Sequence, residues 1–93
     1  LLGLTRNTAW MYARQGIRCN AILPGGVSTA IVTGMDAQKW DPEGTERVRT
    51  FHATMPTMLE PLDIARLALF LASDESRHVN GAAVTADGGW LAN

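Results

Sequence analysis

Residues 16–29, reading Gly-Ile-Arg-Cys-Asn-Ala-Ile-Leu-Pro-Gly-Gly-Val-Ser-Thr, constrain the fold more than any other stretch of this chain. From Ile17 to Leu23 both faces are mostly apolar, the pattern of a parallel strand covered above and below. Pro24 ends the run because it has no N–H for a ladder, and the paired glycines Gly25 and Gly26 let backbone approach a neighbour with no Cβ in the way. Val27, Ser28 and Thr29 then close the stretch on hydroxyl side chains. Open parallel sheets take ligands at this end of their strands. The plainer alternative is that Pro-Gly-Gly only turns the chain.

The flanking segments fit a strand, crossover and strand unit. Residues at Leu1, Leu4, Thr8 or Ala9, Tyr12 and Ala13 follow a helical period up to about Arg14, and Gly16 is placed as the stop. Residues 30–59 are broken by Gly34, Gly44 and Pro56 and read as short helices on a flap. Within it, Asp41 before Pro42 is a helix start, since Asp caps free N–H groups and Pro suits the first turn. Val48, Phe51 and Met55 are expected to share one face. Met35, Trp40, Met55 and Met58 can line a pocket for an apolar ligand or form the core of the flap, and the two readings stand level.

A further helix is expected from Pro61, with Asp63 in its first turn where the macrodipole favours negative charge, to about Ala72. It is apolar nearly all round, Arg66 excepted, so it needs neighbours on more than one side. After a polar loop at Ser73 to Arg77, Gly81 to Ala86 reads as the last strand, ended by an Asp87-Gly88-Gly89 turn needing positive φ. Two parallel strands alone leave unpaired edges and an uncovered face, so other elements are expected to complete the sheet.

Composition narrows the classes. A hydrophobic fraction of 46% and a formal net charge of -1 over 93 residues describe one ordinary globular unit, not a nucleic-acid-coating one. The longest apolar run, Leu67 to Ala72, is too short to cross a bilayer, so no membrane role is expected. The single cysteine, Cys19, is read as a buried small apolar residue within the strand, which fits a reducing, cytoplasmic setting. His52 and His78 have no ligand-spaced partners and are read as exposed imidazoles, so no metal site is expected. Asn20 is read as tying neighbouring backbone together, and Ser28 as a surface hydroxyl.

Taken in order, several short motifs resemble the C-terminal part of the short-chain dehydrogenase/reductase family, over nearly the whole chain. They are Leu1-Leu2-Gly3-Leu4-Thr5-Arg6-Asn7-Thr8-Ala9, Ile17-Arg18-Cys19-Asn20-Ala21-Ile22, and Pro24-Gly25-x-Val27-x-Thr29. Asp63-Ile64-Ala65, Phe70-Leu71-Ala72-Ser73, and Val79-Asn80-Gly81 with Asp87-Gly88-Gly89 complete the set. The resemblance implies an α/β fold: the C-terminal part of a doubly wound, Rossmann-like parallel sheet, with two parallel strands and flanking helices. Residues 1–93 would then be the C-terminal portion of one NAD(P)-binding domain, with 30–59 as its substrate lid.

The implied activity is hydride transfer between NAD or NADP and a small-molecule alcohol or carbonyl substrate. Pro24 and Gly25 would shape the turn beside the nicotinamide, Val27 would hold the carboxamide through its backbone, and Thr29 would hydrogen-bond the carboxamide or diphosphate. No catalytic residue is assigned here. The family's Ser, its Tyr-x-x-x-Lys and its glycine-rich phosphate loop would all precede Leu1, and Tyr12 is followed four places on by Gly16. The chain starts on Leu, and is therefore expected to be part of a longer enzyme that self-associates, with no turnover of its own. The alternatives are a non-catalytic oligomerisation piece or an inactive truncated product.

Overall fold

A computed structural model describes residues 1–34 and 40–92. The first helix, α1 (Leu2–Tyr12), runs into a 3-10 turn at Ala13–Gln15. Gly16 stops it at φ 76°, with its N–H on the Ala13 carbonyl at 3.1 Å and the Ile17 N–H on Tyr12 at 3.3 Å. That is a Schellman closure, and it needs the left-handed backbone that glycine adopts without strain. The stop expected at Gly16 is therefore where the chain turns.

Strand β1 (Ala21–Pro24) follows, then helix α2 (Ala30–Gly34), helix α3 (Pro42–His52), helix α4 (Pro61–Ala72) and strand β2 (Ala83–Ala86). The strands pair in parallel, Ala21 opposite Ala83 through Pro24 opposite Ala86. A parallel pair joined by a long helical crossover is the unit from which doubly wound sheets are built. Residues 30–34 and 42–72 supply that crossover.

The strand is shorter than its apolar run. Residues 17–20 lie outside the ladder because side-chain amides do the pairing there. The Cys19 N–H donates to Asn80 Oδ1 at 2.9 Å, and the Cys19 carbonyl accepts from Gly81 N at 2.8 Å. Asn20 Nδ2 donates to the Val79 carbonyl at 2.9 Å while Asn20 Oδ1 accepts from Ala82 N at 3.0 Å. Asn80 Nδ2 reaches on to the Ala9 carbonyl at 3.1 Å, fastening α1 to the same crossing. Arg18 donates to the Val79 and Ser73 carbonyls at 3.2 and 3.0 Å, closing the end of α4. Asn20 thus ties backbone together, whereas Cys19 is half-buried and precedes the strand instead of sitting buried within it.

The helix starts follow from their caps. Asp41 Oδ2 accepts the Gly44 N–H at 2.6 Å with Pro42 in the first turn. At α4, the Glu60 N–H donates to Asp63 Oδ2 at 3.0 Å, again with Pro61 leading. On α3 the exposed Arg49 holds the Glu46 carboxyl below its ordinary range at 2.7 Å, an ion pair too solvated to contribute much. Because α3 stops at His52, Val48, Phe51 and Met55 do not share one helical face: Met55 lies beyond the C-cap at Ala53.

The core is small. Ala9 and Ala21 are the buried apolar residues among those described, while Ile22 and Leu23 are half-buried. Leu1, Leu4 and Trp10 of the first helical segment and Leu62, Leu69 and Phe70 of α4 stand exposed. The accessible surface is 7296 Å², where a compact monomer of this size has about 5,200 Å². The strand that was expected to be covered above and below is covered in part, and α4 leaves Leu62, Leu69 and Phe70 exposed.

Candidate functional site

The carboxyl end of β1 and the turn after it bring Pro24, Gly25, Val27 and Thr29 to one sheet edge. Pro24 is the last residue of the strand, and the Gly25 N–H continues the ladder to the Ala86 carbonyl at 2.9 Å. Gly25 is closed in by backbone, and Gly26 by the flexible ends of two methionines. A Cβ on Gly25 would lie 2.9 Å from both Cα and Cβ of Asp87, and one on Gly26 would lie 2.5 and 2.8 Å from the Met55 and Met58 sulfurs. Non-bonded carbons settle at about 3.5–4.0 Å, so neither position admits a side chain without movement. Their φ angles are not positive; close packing is the reason for glycine at this turn.

Beyond Gly26 the backbone forms one more parallel bridge, Val27 with Leu59. Leu59 N donates to the Gly26 carbonyl at 2.8 Å, and Ser28 N donates to the Leu59 carbonyl at 2.9 Å. In such a bridge the flanking residues face the partner and the central residue's own N–H and C=O project to the opposite side. Val27 therefore presents an amide donor and an amide acceptor side by side, with no partner among the described residues. That pair matches a primary carboxamide, which offers one acceptor and two donors. The half-buried Thr29 hydroxyl, just before α2, likewise has no partner among the described residues.

The turn after β2 braces this edge from behind. Asp87 is buried, its Oδ1 accepting from Gly89 N at 2.9 Å and its Oδ2 from Leu91 N at 3.0 Å. Gly88 and Gly89 take φ of 67° and 90°, the positive values expected of that turn. Ser28 is exposed, as read from the sequence.

The flap divides its apolar residues between two places. Met55 and Met58 press on Gly26, while Trp40, Val48, His52 and Ala53 line a groove of about 720 Å³ along α3 that none of residues 24–29 enters. Met35 lies outside the described residues. His52 and His78 are both exposed, and no cluster of metal-ligating side chains occurs among the described residues. His52 does more than face solvent, since it packs edge-on to Trp90 with ring centroids 5.5 Å apart. Trp90 and Thr54 had no place in the sequence reading. A lone aromatic after two glycines was the available signal, and nothing periodic connects it to α3.

A parallel crossover with a tight glycine turn at the carboxyl end of its first strand defines the class of open, parallel α/β sheets. Comparison narrows this further. A family model described as enoyl-(acyl carrier protein) reductase matches residues 1–91. The short chain dehydrogenase adrF of Penicillium rubens is 40% identical over 96 residues, covering 97% of this chain and 38% of that protein. A putative 2-deoxy-D-gluconate 3-dehydrogenase from Agrobacterium tumefaciens, solved with bound NADP, superposes with a TM-score of 0.78 at 33% identity, over 99% of this chain and 36% of that one. A 4-hydroxyisoleucine dehydrogenase complexed with NADH gives 0.74 at 28% identity, over 99% and 36%. This chain belongs to the short-chain dehydrogenase/reductase family. It spans 38% of the length of the Penicillium relative.

Proposed function

We propose that residues 1–93 form the C-terminal portion of one NAD(P)-binding, Rossmann-like domain in an oxidoreductase acting on an alcohol or ketone. The observation that carries this reading is the unpartnered N–H and C=O of Val27 at the strand end. The nicotinamide, when bound, gives or takes the hydride. Val27 grips its carboxamide through the backbone, Thr29 adds a hydroxyl to the carboxamide or diphosphate, and Pro24 with Gly25 keeps the turn flat beneath them. Residues 30–59 form the substrate-side flap. Proximity and fixed orientation of this kind are a large part of what such a site contributes to rate. The proton donor and the groups that tune it belong to other parts of the enzyme.

The relatives solved with NADH and with NADP support either dinucleotide as the cofactor. The single, half-exposed Cys19 fits a reducing, cytoplasmic setting. No described helix is long and apolar enough to cross a membrane. The exposed Leu4, Trp10 and Met11 of α1 and Leu69 and Phe70 of α4 support burial against the rest of the domain and against a second copy of the enzyme.

Thr29→Val tests the site at nearly constant shape. In the complete gene product, titrated with NADH and NADPH by fluorescence, the variant is expected to bind about three- to tenfold more weakly, as one lost hydrogen bond would give. Circular dichroism should be unchanged. Equal affinity in variant and parent removes Thr29 from the site.

A further inference from the structure

The turn after β2 is fastened to the flap at several points. Trp90 stacks on Phe51 with centroids 4.5 Å apart, and its indole Nε1–H donates to the Thr54 hydroxyl at 2.9 Å. The Thr54 hydroxyl in turn donates to the Phe51 carbonyl at 2.8 Å, so the indole, the hydroxyl and the end of α3 form one hydrogen-bonded chain. Gly88 meets the same segment, since a Cβ there would lie 2.9 Å from Thr57 Cγ2. The base of Trp90 is fixed as well: its N–H reaches the carbonyl of buried Asp87 at 3.3 Å, and Asp87 abuts Gly25.

From the gripped segment, Met55 and Met58 run onto Gly26, and Leu59 bridges Val27. We propose that Trp90 is a positioning residue: it ties residues 51–58 to the turn after β2 and so sets where the flap sits over the 24–29 turn. Its effect on catalysis rests on the reading of that turn as the nicotinamide floor, whereas its grip on the flap does not. An aromatic stack and an indole hydrogen bond hold geometry that a simple apolar contact leaves loose.

Hydrogen exchange and steady-state kinetics on the complete gene product test this, with Trp90→Ala, Trp90→Phe and Thr54→Val. In Trp90→Ala the amides of Ala53, Met55, Leu59 and Ser28 are expected to exchange at least about tenfold faster, while those of Ala21 and Gly25 in the strand ladder keep their parent rates. Trp90→Phe, which keeps the stack and loses the indole hydrogen bond, and Thr54→Val, which keeps the stack and loses the hydroxyl's bonds to the indole and to the Phe51 carbonyl, should each give about a threefold increase, and they carry the test if Trp90→Ala does not fold. KM for the alcohol or ketone should rise about tenfold in Trp90→Ala with kcat and dinucleotide affinity changed less than about threefold.

Unchanged exchange at 53–59, an equal increase along both strands, or a KM that stays at the parent value would each overturn the proposal. Exchange is read without any cofactor. Absence of dinucleotide binding by the parent protein would therefore defeat the function proposed above and leave the grip of Trp90 on the flap to be decided by exchange.

Discussion

Gly25→Ala is expected to destabilise the complete gene product by about 1–3 kcal/mol, the usual cost of forcing a methyl into a closed contact. The new Cβ would stand 2.9 Å from Asp87 Cα, which is backbone and has little room to retreat. Asp87 is held by the amides of Gly89 and Leu91, and Gly25 itself is held by the Ala86 carbonyl. Relief must come from parting the ends of β1 and β2. Because Val27 lies two residues on, the same movement displaces the amide pair, and dinucleotide affinity is expected to fall by more than tenfold, about 1.4 kcal/mol. Urea unfolding and fluorescence titration measure the two effects. Gly3→Ala is the control: its Cβ meets nothing within 4 Å, so that variant should keep or gain stability. Parent-like stability and affinity in Gly25→Ala would show that the turn is not closely packed.

Asn80→Ala is expected to cost a further large amount, about 2–3 kcal/mol, in the same unfolding measurement. The side chain joins the Cys19 N–H to the Ala9 carbonyl, so its loss leaves that N–H without its acceptor and takes from the Ala9 carbonyl, already in the helical ladder, the bond that fastens α1 to the crossing. Each such partner lost costs about 1 kcal/mol or more when water cannot fully replace it. Asn20→Ala removes the complementary bonds to Val79 and Ala82 and should cost a similar amount. The two changes lie on one crossing, so their effects should not add. A loss below about 0.5 kcal/mol for Asn80→Ala, the range of ordinary surface changes, would mean that water satisfies both groups in its place.

Much of this architecture is legible in the chain because the deciding signals are local. Pro61 with Asp63 marks the start of α4, and the apolar run ends at Ala72 where the helix does. Gly16 stops the first helical segment, and the apolar pattern of β1 gives its parallel pairing. Residues 17–20 look like more strand because their composition is right, yet Asn20 and Asn80 substitute side-chain amides for the ladder across some sixty residues of intervening chain. Such pairing leaves no period to read. At the turn after β1, the presence of the glycines was legible but the packing reason for them was not. The space at Gly25 is taken by Asp87 once β2 has paired with β1, and that at Gly26 by the two methionines once the flap has folded back. Trp90 is a further case, its partner Thr54 lying 36 residues away.

The backbone amide of Val27 is the most direct reporter on whether this strand end receives a nicotinamide. In the isotopically labelled gene product, its resonance should shift and its exchange should slow as NADH or NADPH is added to saturation, while the amides of Ser28 and Leu59, already paired with each other's strand, hold their rates. A Val27 amide that neither shifts nor gains protection in the saturated complex would contradict the account at its centre.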